Sequence, residues 1–155
     1  MAQVLIQTAA FDVGAALAAF KGTRKDVGAT AVFIGTLRDL NEGLAVTNLT
    51  LEHYPGMTES MLHDILAQAQ RKFDILDALV IHRVGKIRLA EDIVMVAVQT
   101  AHRGAAFAAC EFIMDFLKTQ APFWKKETVQ GLDAETHSHW IEAKHSDDAA
   151  AARWV

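Results

Sequence analysis

The order of apolar and polar residues in the first part of the chain is typical of a strand, then of a helix, and then of a second strand. Short apolar runs at Val4–Thr8 and Ala29–Leu37 predict two strands, and the second is expected to be buried and to end in a bend at Gly35. Between them, Asp12 is placed to cap a helix that continues to Phe20. The chain therefore begins as a mixture of strand and helix.

The middle of the chain continues this mixture. A polar loop is expected at Arg38–Gly43, followed by an imperfectly alternating strand at Val46–His53. Thr58 is a plausible N-cap for a helix that runs to Phe73, because apolar residues recur there every three or four positions. That helix is expected to keep one polar face.

The strongest strand signals come next, at Ala78–Val84 and Ile93–Thr100. The second run is almost continuously apolar, so both of its faces are expected to be covered. A long helix follows at Arg103–Lys118 and ends before Pro122. Its expected inner stripe consists of Ala106, Ala109, Phe112, Ile113, Phe116 and Leu117.

The C-terminal third predicts a short strand around Trp140–Ala143 and a final helix at Asp147–Trp154. Strands and helices alternate through the whole sequence, which is typical of the α/β class. A length of 155 residues suits one domain covering residues 1–155, without a linker or an internal repeat.

Composition and charge narrow the possible functions. The chain is 52% hydrophobic and carries a net charge of −4, which argues against a nucleic-acid partner or an anionic membrane surface. No apolar run is long enough to span a bilayer, and the N-terminus does not resemble a signal peptide. Cys110 is the only cysteine, so no internal disulfide is expected. We therefore expect a cytoplasmic protein.

Three basic residues occur where strands are predicted to end. His102 and Arg103 stand at the predicted start of the long helix, where unpaired N–H groups and the helix dipole favour an anion. Arg38 follows Thr36 and Leu37, and its guanidinium can bind a phosphate with two hydrogen bonds. The pattern indicates a phosphate or carboxylate site, and the simpler alternative is a set of solvated side chains.

Lysines surround a rigid apolar stretch at residues 121–124. Lys118 ends the long helix, and Lys125 and Lys126 follow Phe123 and Trp124. Apolar walls that remove water from an amine favour its neutral form and suit it to proton transfer. The alternative is that Lys118 only complements the helix dipole.

Other reactive side chains give weaker signals. Cys110 lies among alanines and phenylalanines and is expected to fill core space rather than act as a nucleophile. His137 and His139 lack a carboxylate pattern beside them, so no metal site is predicted. The sequence has no phosphate-loop or dinucleotide fingerprint, and no cofactor is predicted.

Four separated strings carry a resemblance to a known family. They are LTLEHYPGMTE at 49–59, VIHRVGKI at 80–87, AHRGAAFAACEFIMDFLK at 101–118 and APFWKKE at 121–127. In this order and spacing they resemble the large, catalytic subunit of molybdopterin synthase, over roughly Gly28 to Trp154.

The resemblance implies a fold, partners and an activity. It implies an α/β hammerhead-type fold with a small additional β subdomain, and a homodimer that carries one small ubiquitin-like subunit at each end, which makes a heterotetramer. The Gly-Gly terminus of that small subunit, activated as a thiocarboxylate, would deliver sulfur to cyclic pyranopterin monophosphate. Two such transfers would form the dithiolene of molybdopterin.

The resemblance also implies which residues act. It places Lys118 and Lys125 as the catalytic residues. It assigns substrate binding to Thr36, Leu37, Arg38, His102, Arg103, Lys118, Lys125, Lys126 and Glu127. Two other readings of the same residues stay open, namely a non-catalytic adaptor that docks a ubiquitin-like tail and a sensor of a phosphate ligand.

Overall fold

The computed structural model describes residues 2–41, 44–130, 136–141 and 145–154. Within these ranges the chain forms two sheets and four helices. The strands are β1 (Ala2–Gln7), β2 (Ala29–Thr36), β3 (Leu40–Asn41), β4 (Leu44–His53), β5 (Asp77–Arg83), β6 (Gly85–Arg88), β7 (Asp92–Thr100), β8 (Phe123–Gln130) and β9 (Thr136–Ile141). The helices are α1 (Val13–Lys21), α2 (Met57–Phe73), α3 (Arg103–Gln120) and α4 (His145–Ala152).

The larger core surrounds a four-stranded sheet with the order β1-β5-β7-β2. Only β1 and β5 run parallel, and β7 is antiparallel to both of its neighbours. Side chains alternate across the sheet, so Val94, Val96 and Val98 pack against α2 and α3, while Met95 and Ala97 pack against α1. This arrangement covers β7 on both faces, as its apolar sequence predicts.

A second, five-stranded sheet is built around β4. Strand β8 pairs with one side of β4 and then with β9, while β6 and the short β3 also pair with β4. Its small core contains Leu37, Val46, Leu49, Leu51 and Ile87. The chain crosses from the first sheet to the second directly after α3, so the C-terminal end of α3 lies where the two sheets meet.

The mixed α/β class with an additional β unit is confirmed, and most predicted elements are present. The inner stripe of α3 is buried at all six predicted positions. The predicted final helix is α4, which starts two residues earlier than expected. The predicted strand at Trp140–Ala143 corresponds to β9, and its residues 142 and 143 lie outside the described ranges.

Two predictions about local structure are wrong. The run Ala29–Leu37 forms β2, but β2 is an edge strand rather than a buried one, and Val32, Phe33 and Ile34 are each more than a third exposed. Apolar sequence alone does not distinguish a central strand from an edge strand with apolar side chains. The expected bend at Gly35 is present as an irregularity in the pairing of β2 with β7.

Thr58 does not cap α2. The helix begins at Met57, and Gly56, with φ +87°, occupies the cap. The Thr58 hydroxyl instead accepts a hydrogen bond from the Tyr54 N–H at 3.0 Å and donates to the Pro122 carbonyl at 3.2 Å. It thereby ties the start of α2 to the short link between α3 and β8.

The sequence patterns also missed strands β3, β6 and β8. Part of the expected polar loop at Arg38–Gly43 is β3, and residues 42 and 43 are outside the described ranges. The lysine-rich stretch after Pro122 is not a free turn but the long strand β8. Within the described ranges, no helix is long and apolar enough to cross a bilayer.

Candidate functional site

A cavity of about 370 Å³ lies where the two sheets and the C-terminal end of α3 meet. Strands β2, β5 and β7 contribute from the first sheet, and β4 and β8 contribute from the second. Its lining consists of Phe33, Ile34, Gly35, Thr36, Arg38, Leu49, Leu51, His82, Ile93, Val94, Met114, Leu117, Lys118, Ala121, Phe123 and Lys125. The cavity is therefore mostly apolar, with a few convergent polar groups, which is typical of ligand sites.

Sheet register forms one wall of this cavity. His82 pairs with Val94, and Val94 pairs with Gly35, so the three residues form a row on one face of the sheet. A Cβ atom on Gly35 would lie 2.8 Å from Val94 Cγ1. Because Gly35 has no side chain, the space beside Val94 at the β2 end of this row stays empty and belongs to the cavity.

Helix α3 supplies the opposite wall through one face of its last turns. Met114, Leu117, Lys118 and Ala121 line the cavity at the spacing of neighbouring residues on one helix face. Lys118 lies in the last turn, where its charge complements the helix dipole, and its side chain is exposed. The amine is thus open to water in the single chain, rather than enclosed by apolar walls.

Strand β8 brings the second lysine to the cavity. Lys125 pairs with Leu51 of β4, which also lines the cavity, and its side chain is half-buried. The neighbouring Trp124 does not line the cavity, and its ring packs edge-on against Tyr54 at a centroid distance of 4.3 Å. Strand alternation therefore separates Lys125 from the indole beside it in sequence.

Cations dominate the polar part of the lining. Arg38 follows β2, and the Thr36 hydroxyl is held by a 2.9 Å hydrogen bond to Asp92. Arg38, Lys118 and Lys125 all line the cavity, and no described lining residue carries a carboxylate. Like charges that converge without a carboxylate favour an anionic ligand.

One polar residue of the cavity lining, His82, is not among the predicted site residues. Its side chain is only 4% exposed, and its Nδ1 lies 2.8 Å from the carbonyl oxygen of Arg83. Its ring stacks on Phe123 with a centroid distance of 4.0 Å and an interplanar angle of 16°. The available signal was an ionisable residue within the apolar strand Ala78–Val84, where a solvent-facing histidine is not expected.

Burial controls the charge of His82. Removal from water lowers its pKa from the ordinary 6.5 to about 4, and the nearby charges of Lys118 and Lys125 lower it as well. The hydrogen bond to Arg83 acts in the opposite direction but does not outweigh burial. The imidazole is therefore neutral at physiological pH.

The structure brings together four of the nine residues expected to bind substrate: Thr36, Arg38, Lys118 and Lys125. The Leu37 side chain is buried in the small core beside them. Lys126 is exposed and does not line the cavity. Glu127 lies on β8, and its side chain is outside the described part of the chain.

The predicted basic pair at the start of α3 lies far from the cavity in the single chain. His102 and Arg103 are both exposed, and His102 occupies the N-cap position without a side-chain capping bond. Lys118 lies fifteen residues after Arg103 in the same helix, which corresponds to about 22 Å along its axis. One chain does not assemble the complete predicted anion site.

Cys110 has the properties of a core residue. It is buried in α3, its Sγ lies 3.9 Å from the Val96 carbonyl, and burial raises the pKa of its thiol to about 11. The thiol is therefore protonated at neutral pH. The described residues contain no group of three or more His, Cys, Asp or Glu side chains arranged to hold a metal ion.

Together, the fold and the cavity define a class: a two-sheet α/β protein whose cavity is lined by lysine and arginine and suits an anionic ligand. Residues 6–120 match the family described as MoaE protein, and the chain belongs to that family. The molybdopterin synthase catalytic subunit of Ralstonia nicotianae is 54% identical over 155 residues, covering 99% of this chain and 85% of the relative.

Solved structures agree with this assignment. The molybdopterin biosynthesis MoaE protein from Burkholderia ambifaria matches with a TM-score of 0.82 and 49% identity, covering 99% of this chain and 98% of that one. The molybdopterin synthase of Staphylococcus aureus matches with a TM-score of 0.79 and 26% identity, covering 89% and 96%. The chain thus belongs to a family whose curated relatives are enzyme subunits.

Proposed function

We propose that the chain is the catalytic subunit of a molybdopterin synthase. It would take sulfur from the C-terminal thiocarboxylate of a small ubiquitin-like carrier subunit and deliver it to cyclic pyranopterin monophosphate. In each transfer a carbon–sulfur bond forms on the pterin as one of its carbon–oxygen bonds breaks and the oxygen leaves. The carrier's carbon–sulfur bond then breaks by hydrolysis, with water supplying the oxygen of the carrier's new carboxylate. Two transfers build the dithiolene.

The observation that carries this proposal is the convergence of Arg38, Lys118 and Lys125 on a mainly apolar cavity, with no carboxylate among its described lining residues. Both reactants are anionic, because one carries a phosphate and the other ends in a thiocarboxylate. The apolar residues between the cations suit a flat pterin ring and exclude water once both reactants are bound.

We propose that the two lysines act in different parts of the reaction. Lys118 is exposed at the end of α3, and Lys125 is half-buried on β8. We assign Lys118 to the carrier's terminal carbon and Lys125 to the pterin, where each assists proton transfer as sulfur attacks. Lys126 and Glu127 remain proposed contacts at the rim of the site.

A second copy of the chain would complete the anion site. The His102–Arg103 pair adjoins the start of β2, because Ala29 pairs with Thr100, whereas the cavity adjoins the end of β2 at Gly35. If two copies pair antiparallel along the β2 edge, the basic pair of one copy comes to the cavity end of the other. We therefore propose a homodimer with a carrier subunit at each end.

The proposed activity also bears on location and cofactors. The reaction uses a carrier protein and a small phosphate ester, and we propose that it takes place in the cytoplasm. Sulfur enters with the carrier, so the reaction as proposed calls for no metal or organic cofactor. The protonated, buried thiol of Cys110 is not required as a sulfur donor.

The test is a reconstitution with the thiocarboxylated carrier and the cyclic substrate, in which dithiolene formation is followed by mass spectrometry. Lys118→Ala is expected to lower the rate about 10²- to 10⁴-fold, because it removes a proton-transferring group. Lys118→Arg should recover little activity, since a guanidinium keeps its proton. Lys86→Ala, at an exposed lysine on β6 away from the cavity, is the matched control.

The same experiment separates the other two readings. A non-catalytic adaptor would bind the carrier equally well with Lys118→Ala and would form no product even as the wild-type protein. A sensor of a phosphate ligand would bind the cyclic substrate but not the carrier. Full activity in Lys118→Arg would show that Lys118 acts as a fixed positive charge and not as a proton donor.

A further inference from the structure

The link between α3 and β8 consists of two residues, Ala121 and Pro122. It joins the two elements that carry the lysines proposed as catalytic. Lys118 lies three residues before Ala121, and Lys125 lies three residues after Pro122. The backbone torsions of the two link residues therefore set how α3 meets β8.

Proline restricts most of these torsions. The pyrrolidine ring fixes φ of Pro122, and the residue before a proline is confined to extended conformations. Ala121 accordingly has φ −73° and ψ 129°. The ψ torsion of Pro122 is the soft torsion that remains in the link, and rotation about it turns the Pro122 carbonyl group.

Two hydrogen bonds hold the peptide group that joins Pro122 to Phe123. The Thr58 hydroxyl donates to the Pro122 carbonyl oxygen at 3.2 Å, and the Phe123 N–H donates to the Ala121 carbonyl oxygen at 2.9 Å. A peptide group is planar, so bonds to its oxygen and to its N–H together fix its orientation. They thereby fix ψ of Pro122.

Thr58 is a firm anchor for this bond. Its side chain is fully buried, its N–H donates to the Tyr54 carbonyl at 2.9 Å, and its Oγ1 accepts from the Tyr54 N–H at 3.0 Å. A hydroxyl has one proton to donate and can accept as well, so the proton remains for Pro122. Glu59 also accepts a 2.6 Å bond from the Gly56 N–H, which orders the turn before Thr58.

Loss of the Thr58 hydroxyl would affect Lys118 more than Lys125. Strand β8, which carries Lys125, is held by hydrogen bonds to β4 on one side and to β9 on the other. A change in ψ of Pro122 would therefore move the last turn of α3 rather than the paired strand. That turn carries Lys118, whose side chain is exposed.

We propose that Thr58 is a positioning residue for the sulfur-transfer site, whose hydroxyl holds the Pro122 carbonyl and so sets the place of Lys118 relative to Lys125. Thr58 does not line the cavity, so it acts through the link and not on the reactants. The consequence for turnover rests on the proposed function, whereas the hydrogen bond and the lysine geometry are measurable without turnover.

A small set of variants isolates the hydroxyl. Thr58→Val replaces it with a methyl group of similar size, and Thr58→Ser keeps it. Thr58→Ala also lacks the hydroxyl and takes the place of the valine variant if thermal melts show that the latter does not fold. Asp12→Ala is the control for lost stability, because it removes the 2.8 Å bond from the Ala15 N–H at α1, which does not line the cavity.

In the carrier-dependent assay, Thr58→Val is expected to lower kcat about 10- to 100-fold, because misplacing a reacting group by about 1 Å has an effect of this size. KM for the cyclic substrate should stay within about threefold, since attraction between charges weakens only gradually with distance. Thr58→Ser and Asp12→Ala should keep kcat within about threefold of wild type. Wild-type kcat in Thr58→Val, or an equal loss in Thr58→Ser or Asp12→Ala, would overturn the proposal.

Amide hydrogen exchange, followed by NMR, tests the contact without activity. The Tyr54 and Phe123 amides are expected to exchange faster in Thr58→Val and at the wild-type rate in Thr58→Ser. The Ala15 amide is the internal reference and should change only in Asp12→Ala. Unchanged exchange of the Phe123 amide in Thr58→Val would refute the anchoring of the link.

Crosslinking tests the lysine geometry directly. The yield of a Lys118–Lys125 crosslink with a short bifunctional amine reagent, measured by mass spectrometry, should change several-fold in Thr58→Val and not in Thr58→Ser. Equal yields in wild type and Thr58→Val would overturn the positioning role. If exchange and crosslinking change as expected while the wild-type protein transfers no sulfur, the proposed function fails and the positioning of Lys118 by Thr58 stands.

Discussion

Burial of the His82 imidazole links the stability of the fold to pH. The folded protein holds this pKa at about 4, whereas the unfolded chain has the ordinary value of 6.5, so the unfolded state binds the proton more readily. The stabilising effect of the neutral ring is therefore complete above pH 6.5 and is lost as the pH falls toward 4. The size of the loss is about 3 kcal/mol.

Chemical denaturation at pH 7 and pH 4 tests this. Wild-type protein should lose about 3 kcal/mol more free energy of unfolding between these two values than His82→Asn, which has no titrating ring. Both proteins contain the other six histidines, so the difference between the two losses reports His82. Parallel losses in the two proteins would mean that His82 is protonated as easily in the fold as out of it.

At the scale of elements, the two residues that follow α4, Arg153 and Trp154, attach it to α3 by hydrogen bonds and an ion pair. Asp115 accepts a hydrogen bond from Trp154 Nε1 at 2.6 Å and one from Arg153 at 2.9 Å. Arg153 also pairs with Glu111, and the Trp154 ring packs against Phe112 at 5.6 Å. Asp115 lies one turn before Lys118, so these contacts involve the part of α3 that carries the lysine proposed as catalytic.

The two hydrogen bonds that Asp115 accepts are expected to contribute unequally to the free energy of unfolding. Asp115→Ala is expected to lower the free energy of unfolding by about 1–3 kcal/mol, because it leaves the Trp154 N–H without its acceptor. Arg153→Ala should lower the free energy of unfolding less than Asp115→Ala does, because Arg153 and Glu111 are both about half exposed and water screens their ion pair. Urea denaturation measures both values. An equal cost for the two variants would mean that the ion pair, not the indole hydrogen bond, holds α4.

At the scale of the whole molecule, the two edges of the larger sheet differ. The edge strand β2 exposes three successive apolar side chains, Val32, Phe33 and Ile34, while Leu5 is the one large apolar side chain that the opposite edge strand β1 exposes. Unpaired strand edges and apolar patches are usually covered in soluble proteins. We therefore expect the second copy to cover the β2 edge.

Light scattering at micromolar concentration should give about twice the 17.0 kDa of one chain. Val32→Lys places a charge on the β2 edge, without changing a cavity residue, and should shift the mass toward the monomer. Leu5→Lys makes the same change on β1 and should leave the dimer intact. A dimer that survives Val32→Lys but not Leu5→Lys would place the interface on the other edge.

The sequence by itself determined the local part of this structure. Residue periodicity was sufficient for α3 and β7, because burial of one helix stripe or of both strand faces determines the order of apolar residues. The motifs that resemble the large subunit of molybdopterin synthase identified Arg38, Lys118 and Lys125, which do share one cavity.

Only the tertiary structure decided how distant segments meet. The lysine-rich stretch after Pro122 became β8 because β4 and β9 offered it hydrogen-bonding partners, and pairing between distant strands leaves little trace in local spacing. His82 joined the site because strand register placed it in a row with Val94 and Gly35. The length of α3 keeps His102 and Arg103 apart from Lys118, because a rigid helix fixes the distance between residues at its two ends, even when both ends are predicted to bind the same ligand.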